Sequence, residues 1–520
     1  MNGITPRRNT FIWLIALILV GYYVLTRFFE LTGSFSITSS PSGTQAADMA
    51  ISVDLSWHAP ISSNINSLSS AINGTGIYGF IFNSSTLPQG TPYGTYNWCN
   101  MPHVRRTEYP KVNSSYALEY VEVIHRHHKR TPYASNTFPV ESYPWYCDDE
   151  GLFYAGAPLP THGANQAANT YWSVYTSTSN PLAPRGFNGT CQFPQITREG
   201  LDDSWQHGKD LYDVYHDLLG FLPKKYDPKV VSFRVTNNVI TSQVASMLVS
   251  GMFRGEEHEN VPLLIQPSNI DSLEPAYSCS SASNKFSSYG AGSSDPGWTA
   301  HLKAASDLYA NLDAISGVSP TDSGFHMSFD HYFDNLSARL CHAKPLPCSI
   351  SNPSLCVTQK MAEEVFRLGQ YEYSYLYRDA GARTLEYTAA SYGIWIAELA
   401  QNLRDAMHAT DSASNGSKKK SSGMKYRHNV AHDGSVSRLL SILQIEKMVW
   451  PGMGSEVVFE LYKGKKDQQY YVRVLWGGQV LKSSNPTLGV LDMVRADILI
   501  AYFDGLAGQG AKKIPSLCSV

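Results

Sequence analysis

The chain has 520 residues, room for two to four domains or for one large fold with insertions. Hydrophobic residues make up 43%, enough for a sizeable core, but charged residues make up 16%, against roughly 25% in an average protein. The formal net charge of −3 excludes a generic basic nucleic-acid binder, and Gly 39 with Pro 28 excludes a collagen-like or Pro-rich polymer.

Arg7 and Arg8 precede an apolar run from Phe11 to Thr26, and Phe28 and Phe29 follow Arg27. A membrane-spanning helix needs about 20 residues. Residues 11–29 therefore read as a transmembrane signal anchor, with Arg27 snorkelling from its end. The basic pair keeps residues 1–10 as a cytoplasmic tail, which makes a single-pass type II protein of the secretory pathway (Golgi, vacuole or cell surface). A cleaved signal peptide, and hence secretion, is the alternative. Residues 30–76 are rich in Ser, Thr, Asn and Gly and read as a stalk, with a short element around Ile51–Trp57. Residues 77–110 turn aromatic and are expected to pack on the main body, pinned by Cys99. Eight widely spaced cysteines without a CxxC pair favour disulfides in an oxidising compartment over zinc. Connectivity is not legible. Sequons begin at Asn73, Asn83, Asn113, Asn188, Asn335 and Asn415 and mark a candidate glycoprotein.

The body opens with a strand over Tyr116–His125, ended by Arg126–Pro132. Helical periodicity runs through Leu201–Leu219 until Pro223. Val230–Val235 is a strand and Asn238–Phe253 a helix behind it, an alternation that suggests an α/β sheet. Trp298–Asp313, Asp330–Cys341, Thr358–Tyr377 and Ala382–His408 read as helices. Asp411–Gly423 reads as a polar, mobile loop, and its Lys418–Lys420 run as solvated charge. Tyr426–Ala431 is a strand leading into His432-Asp433. Val436–Ile445 is a helix, Ser455–Tyr462 and Tyr470–Leu475 are strands joined by a turn, and Leu491–Leu506 is the final helix.

Two places carry chemistry. Arg126-His127-His128-Lys129-Arg130-Thr131-Pro132 lies at the carboxyl end of a strand, where open α/β sheets bind ligands. Arg126 and Arg130 offer planar forks for phosphate or carboxylate oxygens. His127 between them is disfavoured as a cation and has a lone pair able to attack phosphorus. A plain basic surface turn is the bland alternative. A metal site from His125, His127 and His128 is another, opposed by the adjacent arginines. His432-Asp433, again at a strand end, pairs a donor for a phosphate oxygen with an acid for a leaving alkoxide, although such a dipeptide is often just a loop.

Together these segments resemble the histidine acid phosphatase family, the acid phosphatase and phytase branch of the histidine phosphatase superfamily. R-H-H-K-R-T-P is similar to its R-H-G-x-R-x-P signature, and His432-Asp433 to its downstream His-Asp dipeptide. Gln195-Ile196-Thr197-Arg198-Glu199-Gly200 with Gln206, Gly208 and Leu211 resembles its following helix. Pro451–Leu461 resembles the segment after His-Asp. The anchored layout resembles a membrane-bound, acid-phosphatase-like member.

The resemblance implies a phosphatase domain over 77–520: a three-layer α/β core with a central mixed sheet from about 115–135, 195–255 and 424–520. Helical and loop insertions, a cap, would occupy about 136–194 and 256–423. It implies His127 as nucleophile, Asp433 as proton donor and Arg126, Arg130 and His432 as phosphate holders, with His128 and Lys129 as candidate pocket residues. The expected activity is metal-independent hydrolysis of a small-molecule or sugar phosphomonoester through a phosphohistidine, with no cofactor, no nucleic-acid partner and membrane contact through residues 11–29. Two departures stand against it. His128 replaces the family's Gly. In Arg234-Val235-Thr236-Asn237-Asn238-Val239-Ile240-Thr241 the family's third phosphate-binding arginine falls on Ile240 and its acidic position on Asn237. His128, Lys129 or Arg234 are candidates to replace that arginine. The alternative is a catalytically weak or inactive lumenal glycoprotein with a binding role.

Overall fold

Strand β1 (Tyr116–Arg126) is buried along most of its length, because its apolar side chains alternate between two covered faces. Tyr120 and Ile124 join Tyr392, Trp395, Leu399 and Leu403 of the helix Ala382–Ser414 on one side. Val121 and Val123 join Leu211, Tyr215 and Leu248 on the other. A computed structural model describes residues 51–81, 89–147, 179–180, 189–254, 261–414 and 423–519.

Seven further strands complete the sheet: β2 (Val231–Val235), β3 (Leu263–Leu264), β4 (Tyr426–Ala431), β5 (Glu456–Gly464), β6 (Tyr470–Trp476), β7 (Gln479–Val480) and β8 (Val494–Arg495). Their order is β3-β2-β4-β1-β5-β6-β7, with β8 also paired to β6. β1, β4, β2 and β3 run parallel; β5 to β8 add antiparallel pairs. The sheet is therefore mixed, as expected. In register, Arg126 lies beside Ala431 and Val235 beside Val430, so β1, β4 and β2 end together at one edge.

One flanking layer is the pair of helices Arg198–Tyr212 and Val239–Met252. Glycines let them touch: a Cβ on Gly208 would lie 2.1 Å from the Leu248 carbonyl oxygen, and one on Gly251 2.0 Å from that of Trp205. The opposite layer holds Ala382–Ser414, Asp433–Ile442 and Ala496–Ala507. Between β3 and β4 stands a helical insertion: Ser280–Tyr289, Pro296–Ala304, Ser306–Ser316, Ser323–His326, Asp330–Cys341 and Gln359–Ser374, which leads into Ala382–Ser414.

Several expectations need correction. The helix expected over Trp298–Asp313 is two helices broken at Ala305. Residues 411–414 continue the long helix instead of opening a loop, and Lys418–Lys420 lie outside the described residues. Val494–Arg495, inside the final helix expected over Leu491–Leu506, is a strand; the helix runs over Ala496–Ala507, and a short helix, Ile514–Cys518, follows it. Residues 51–76 are not a free stalk. The Ile61 N–H donates to the Glu446 carbonyl at 2.8 Å, the His58 N–H to Gln444 Oε1 at 2.7 Å and the Trp57 indole to the Arg378 carbonyl at 3.2 Å. Leu68–Asn73 is a helix capped by Ser67. These contacts reach more than 300 positions away and leave no local periodicity to read. The expected anchor over 11–29 lies outside the described residues; among those, no helix is long and apolar enough to cross a membrane.

All eight cysteines pair, as Cys99–Cys341, Cys147–Cys191, Cys279–Cys518 and Cys348–Cys356. The first pins the aromatic arm, with Trp98 fully buried, to the helix Asp330–Cys341. Of the sequons, Asn73 and Asn113 are exposed. Asn335 is fully buried and donates to the Asn136 carbonyl at 3.1 Å and Glu141 at 3.2 Å, so it has no room for a glycan. Asn83, Asn188 and Asn415 lie outside the described residues.

Candidate active site

The carboxyl ends of β1 and β4 bring Arg126, His127, Arg130, His432 and Asp433 together. His127 continues β1: its N–H donates to the Ala431 carbonyl at 3.0 Å, and its carbonyl accepts from the Gly454 N–H at 3.0 Å. Its Nδ1–H donates to the His128 carbonyl at 2.9 Å, which leaves the lone pair on Nε2. Burial, then the charges of Arg126 and Arg130, hold this imidazole well below its ordinary pKa. The His432 ring stands edge-on to it, 5.5 Å between centres.

Arg126 is 1% exposed. Its Nη1 donates to the Pro451 carbonyl at 2.6 Å, its Nη2 lies 3.2 Å from Asp433 Oδ2, and its guanidinium covers the Trp98 ring at 4.7 Å. Arg130 is held by Asp334 at 2.9 Å and stacks on Tyr133 at 4.1 Å. Asp334 also accepts from the Tyr133 N–H and from Asn136, so it fixes the whole turn that follows the arginine.

His432 is extended, and Asp433 opens the helix Asp433–Ile442, three residues ahead of the expected start. A carboxylate in a first helical turn is favoured there. Burial raises the Asp433 carboxyl, but Arg126 beside it, the Trp450 indole N–H at 2.8 Å and Arg130 outweigh that and hold it below the ordinary range. Burial pushes His432 down to about 4, against the pull of Asp433. Its Nε2 lies 2.9 Å from Thr236 Oγ1 at the end of β2 and 3.6 Å from Glu274 Oε1.

His128 and Lys129 engage the helix Arg198–Tyr212 instead of joining this cluster, a correction to the expected pocket. His128 Nε2 lies 3.1 Å from His207 Nδ1, and Lys129 pairs with Asp203 at 2.9 Å. The ring of His128 fits because Gly454, at φ +70°, has no Cβ; one would sit 2.4 Å from the ring. Arg234 is committed to Glu398 at 2.8 Å and Asp271 at 3.3 Å. Ile240 is fully buried among Ile196, Val235, Val244 and Val430. None of these positions brings a guanidinium to His127.

Sequence reasoning missed Trp98, Glu274, Asp334, Tyr373 and Trp450. Tyr373 stacks on Trp450 at 4.0 Å and so braces the indole that holds Asp433. Trp450 stands one residue before the segment that resembles the family, the nearest thing to a signal for it.

The model for the histidine phosphatase superfamily (branch 2) matches residues 117–300 and 352–476. The chain belongs to that superfamily. Counting factor 60 of Dictyostelium discoideum is 22% identical to this phosphatase-family chain over 385 residues, 71% of the chain and 82% of the relative. Lysophosphatidic acid phosphatase type 6 of Bos taurus is 21% identical over 287 residues, and the chain spans 60% of that relative's length. Among solved structures, the phytase of Klebsiella sp. ASR1 aligns with 78% of this chain and 98% of its own at 16% identity, with a TM-score of 0.45.

Proposed function

We propose that this chain hydrolyses small-molecule or sugar phosphomonoesters through a phosphohistidine on His127, with no metal in the phosphoryl-transfer step. One observation carries the reading: His127, its Nδ1–H given to the His128 carbonyl, meets two buried guanidiniums and the Asp433 carboxyl where adjacent parallel strands end. The His127 Nε2 lone pair attacks phosphorus as the bond to the leaving oxygen breaks. Arg126, Arg130 and His432 hold the phosphoryl oxygens, and protonated Asp433 gives its proton to the departing alkoxide. Water then attacks the phosphorus, Asp433 takes a proton from it, and phosphate leaves His127. Free Asp433 is held ionised by Arg126. A bound phosphoryl group shares that guanidinium and sets negative charge beside the carboxyl, which raises its pKa and loads the donor at acidic pH. The paired cysteines support a lumenal or extracellular location.

The test is acid quenching of the full chain during turnover of a radiolabelled phosphomonoester. Label on wild type and none on His127→Ala is the expected result; no label on either overturns the mechanism. A second reading, a weakly active or inactive binding protein, is favoured by Ile240. A missing charge-assisted phosphate contact costs about 1.5–3 kcal/mol. Anion binding without turnover by wild type would decide for it.

Trp450→Phe keeps the aromatic packing and removes the indole N–H from Asp433. The carboxyl then rises toward its ordinary value and stays protonated to higher pH. The falling limb of the kcat profile is expected to move to higher pH, and an unmoved limb would separate Trp450 from the proton donor.

A further inference from the structure

Beside His127, where β1 meets the helix Arg198–Tyr212, lies a second group of histidines. His125, His128 and His207 are fully buried, and one ring nitrogen from each falls within 4.8 Å of the others. The rings are 4.8 to 5.8 Å apart between centres. Their hydrogen bonds fix where the lone pairs are. His125 Nδ1–H donates to the Arg126 carbonyl at 2.8 Å, and its Nε2 has no partner among the described residues. His207 Nε2–H donates to Glu456 Oε2 at 2.9 Å, which leaves its lone pair on Nδ1, where it accepts from His128 Nε2–H at 3.1 Å. His128 then carries its lone pair on Nδ1, which has no partner among the described residues.

Metal-binding histidines are oriented in this way: one nitrogen to the ion, the other N–H to a backbone carbonyl or a carboxylate. His125 and His207 each meet that pattern. Glu456 is itself fully buried and accepts the Val104 N–H, so the carboxylate is fixed as well. It supplies a negative charge next to the three neutral rings. The nearby cations carry their own partners: His103, stacked on His207 at 4.4 Å, pairs with Asp210 at 2.8 Å, and Lys129 pairs with Asp203.

We propose that His125, His128 and His207 form a buried site for a divalent transition-metal ion, with zinc the best match. Three imidazoles suit zinc, copper or nickel, whereas magnesium and calcium want oxygen ligands. At zinc–nitrogen distances of about 2.0–2.1 Å, tetrahedral ligand atoms lie about 3.3 Å apart. The His128–His207 pair already stands at 3.1 Å, the ion replacing the proton between them as His128 shifts its own N–H to Nδ1, and the third nitrogen, within 4.8 Å, needs a shift of up to about 1.5 Å. The trio differs from the one weighed on sequence: His127 is replaced by His207, 79 residues beyond His128 and supplied by another helix. The Gly-to-His change beside His127 then has a purpose. The ion ties β1 to the helix Arg198–Tyr212 and fixes the backbone that carries His127, and it takes no part in bond breaking. The site stands whether or not His127 turns over phosphomonoesters.

The full chain, purified without a metal-affinity step, is assayed for metal by mass spectrometry, then stripped with phenanthroline and titrated with zinc chloride or cobalt chloride. One zinc per chain, a higher thermal midpoint on reloading and a visible cobalt spectrum of tetrahedral type are expected. His125→Gln and His207→Gln should each weaken zinc at least about a hundredfold. Should either fail to fold, His128→Gly, which places the family's usual residue there, serves as the third test. A folded wild type that neither carries nor takes up stoichiometric zinc at micromolar concentration overturns the proposal. So does zinc held equally by wild type and variants.

Discussion

Replacing His127 with alanine is expected to lower kcat/KM toward any phosphomonoester by at least about 10⁴-fold, with little change in fold. The proposed nucleophile leaves, and with it the Nδ1–H bond to the His128 carbonyl, but the backbone bonds to Ala431 and Gly454 stay. Arg126 and Arg130 keep their own anchors, the Pro451 carbonyl and Asp334, so the anion site survives without its lone pair. The variant should therefore retain inhibition by inorganic phosphate or a phosphate mimic while losing turnover. Circular dichroism and a thermal midpoint check the fold, and steady-state kinetics with several substrates, after brief EDTA treatment, check the rate. A folded wild type no faster than His127→Ala on all of them would remove the catalytic reading. Ile240, buried in an aliphatic cluster, would then mark where catalysis was lost.

What the sequence revealed follows the range of the interactions. β1 was readable because its alternation is local, and so were the helices Arg198–Tyr212 and Asp330–Cys341, whose apolar stripes repeat within a few residues. The two reactive segments were readable because each is a short run of unusual residues at a strand end. Their juxtaposition needed only that β1 and β4 be parallel neighbours. The residues that tune them were not readable. Trp98, Asp334 and Trp450 come from three segments, and each matters through one contact with a residue of the cluster: Trp98 with Arg126, Asp334 with Arg130, Trp450 with Asp433. Nothing local distinguishes such a tryptophan or aspartate from any other. The break at Ala305 is of the same kind, since no Pro or Gly marks it and Ala305 itself is buried. His128 and Lys129 show the converse error: sequence adjacency to His127 suggested a shared pocket, but the chain leaving the strand sends their side chains to another helix.

Asp433→Asn is expected to divide substrates by leaving group. For an alkyl or sugar phosphate the departing alkoxide needs a proton as the bond breaks, and loss of the donor should cost about 10² to 10⁴ in kcat/KM, which ends at phosphorylation and leaves out the later step in which Asp433 takes a proton from water. A p-nitrophenolate leaves well without one, so the same variant should lose about tenfold or less in kcat/KM on p-nitrophenyl phosphate. Geometry favours a clean comparison: asparagine keeps the size of the side chain, the acceptor for the Trp450 indole and the start of the helix. The pH profile gives an independent reading. In wild type the group that must be neutral, the nucleophile His127, lies well below the ordinary histidine value, so activity should persist well into the acid range before falling. Its fall at higher pH belongs to the loss of the proton on Asp433 in the substrate complex. In Asp433→Asn that upper limb should vanish from the p-nitrophenyl phosphate profile while the lower limb stays. If both classes of leaving group instead lost the same factor and the upper limb persisted, Asp433 would be holding Arg126 in place through their 3.2 Å contact, and the proton would come from elsewhere. Glu274, whose carboxyl burial raises and which lies 3.6 Å from His432, is then the group to replace next.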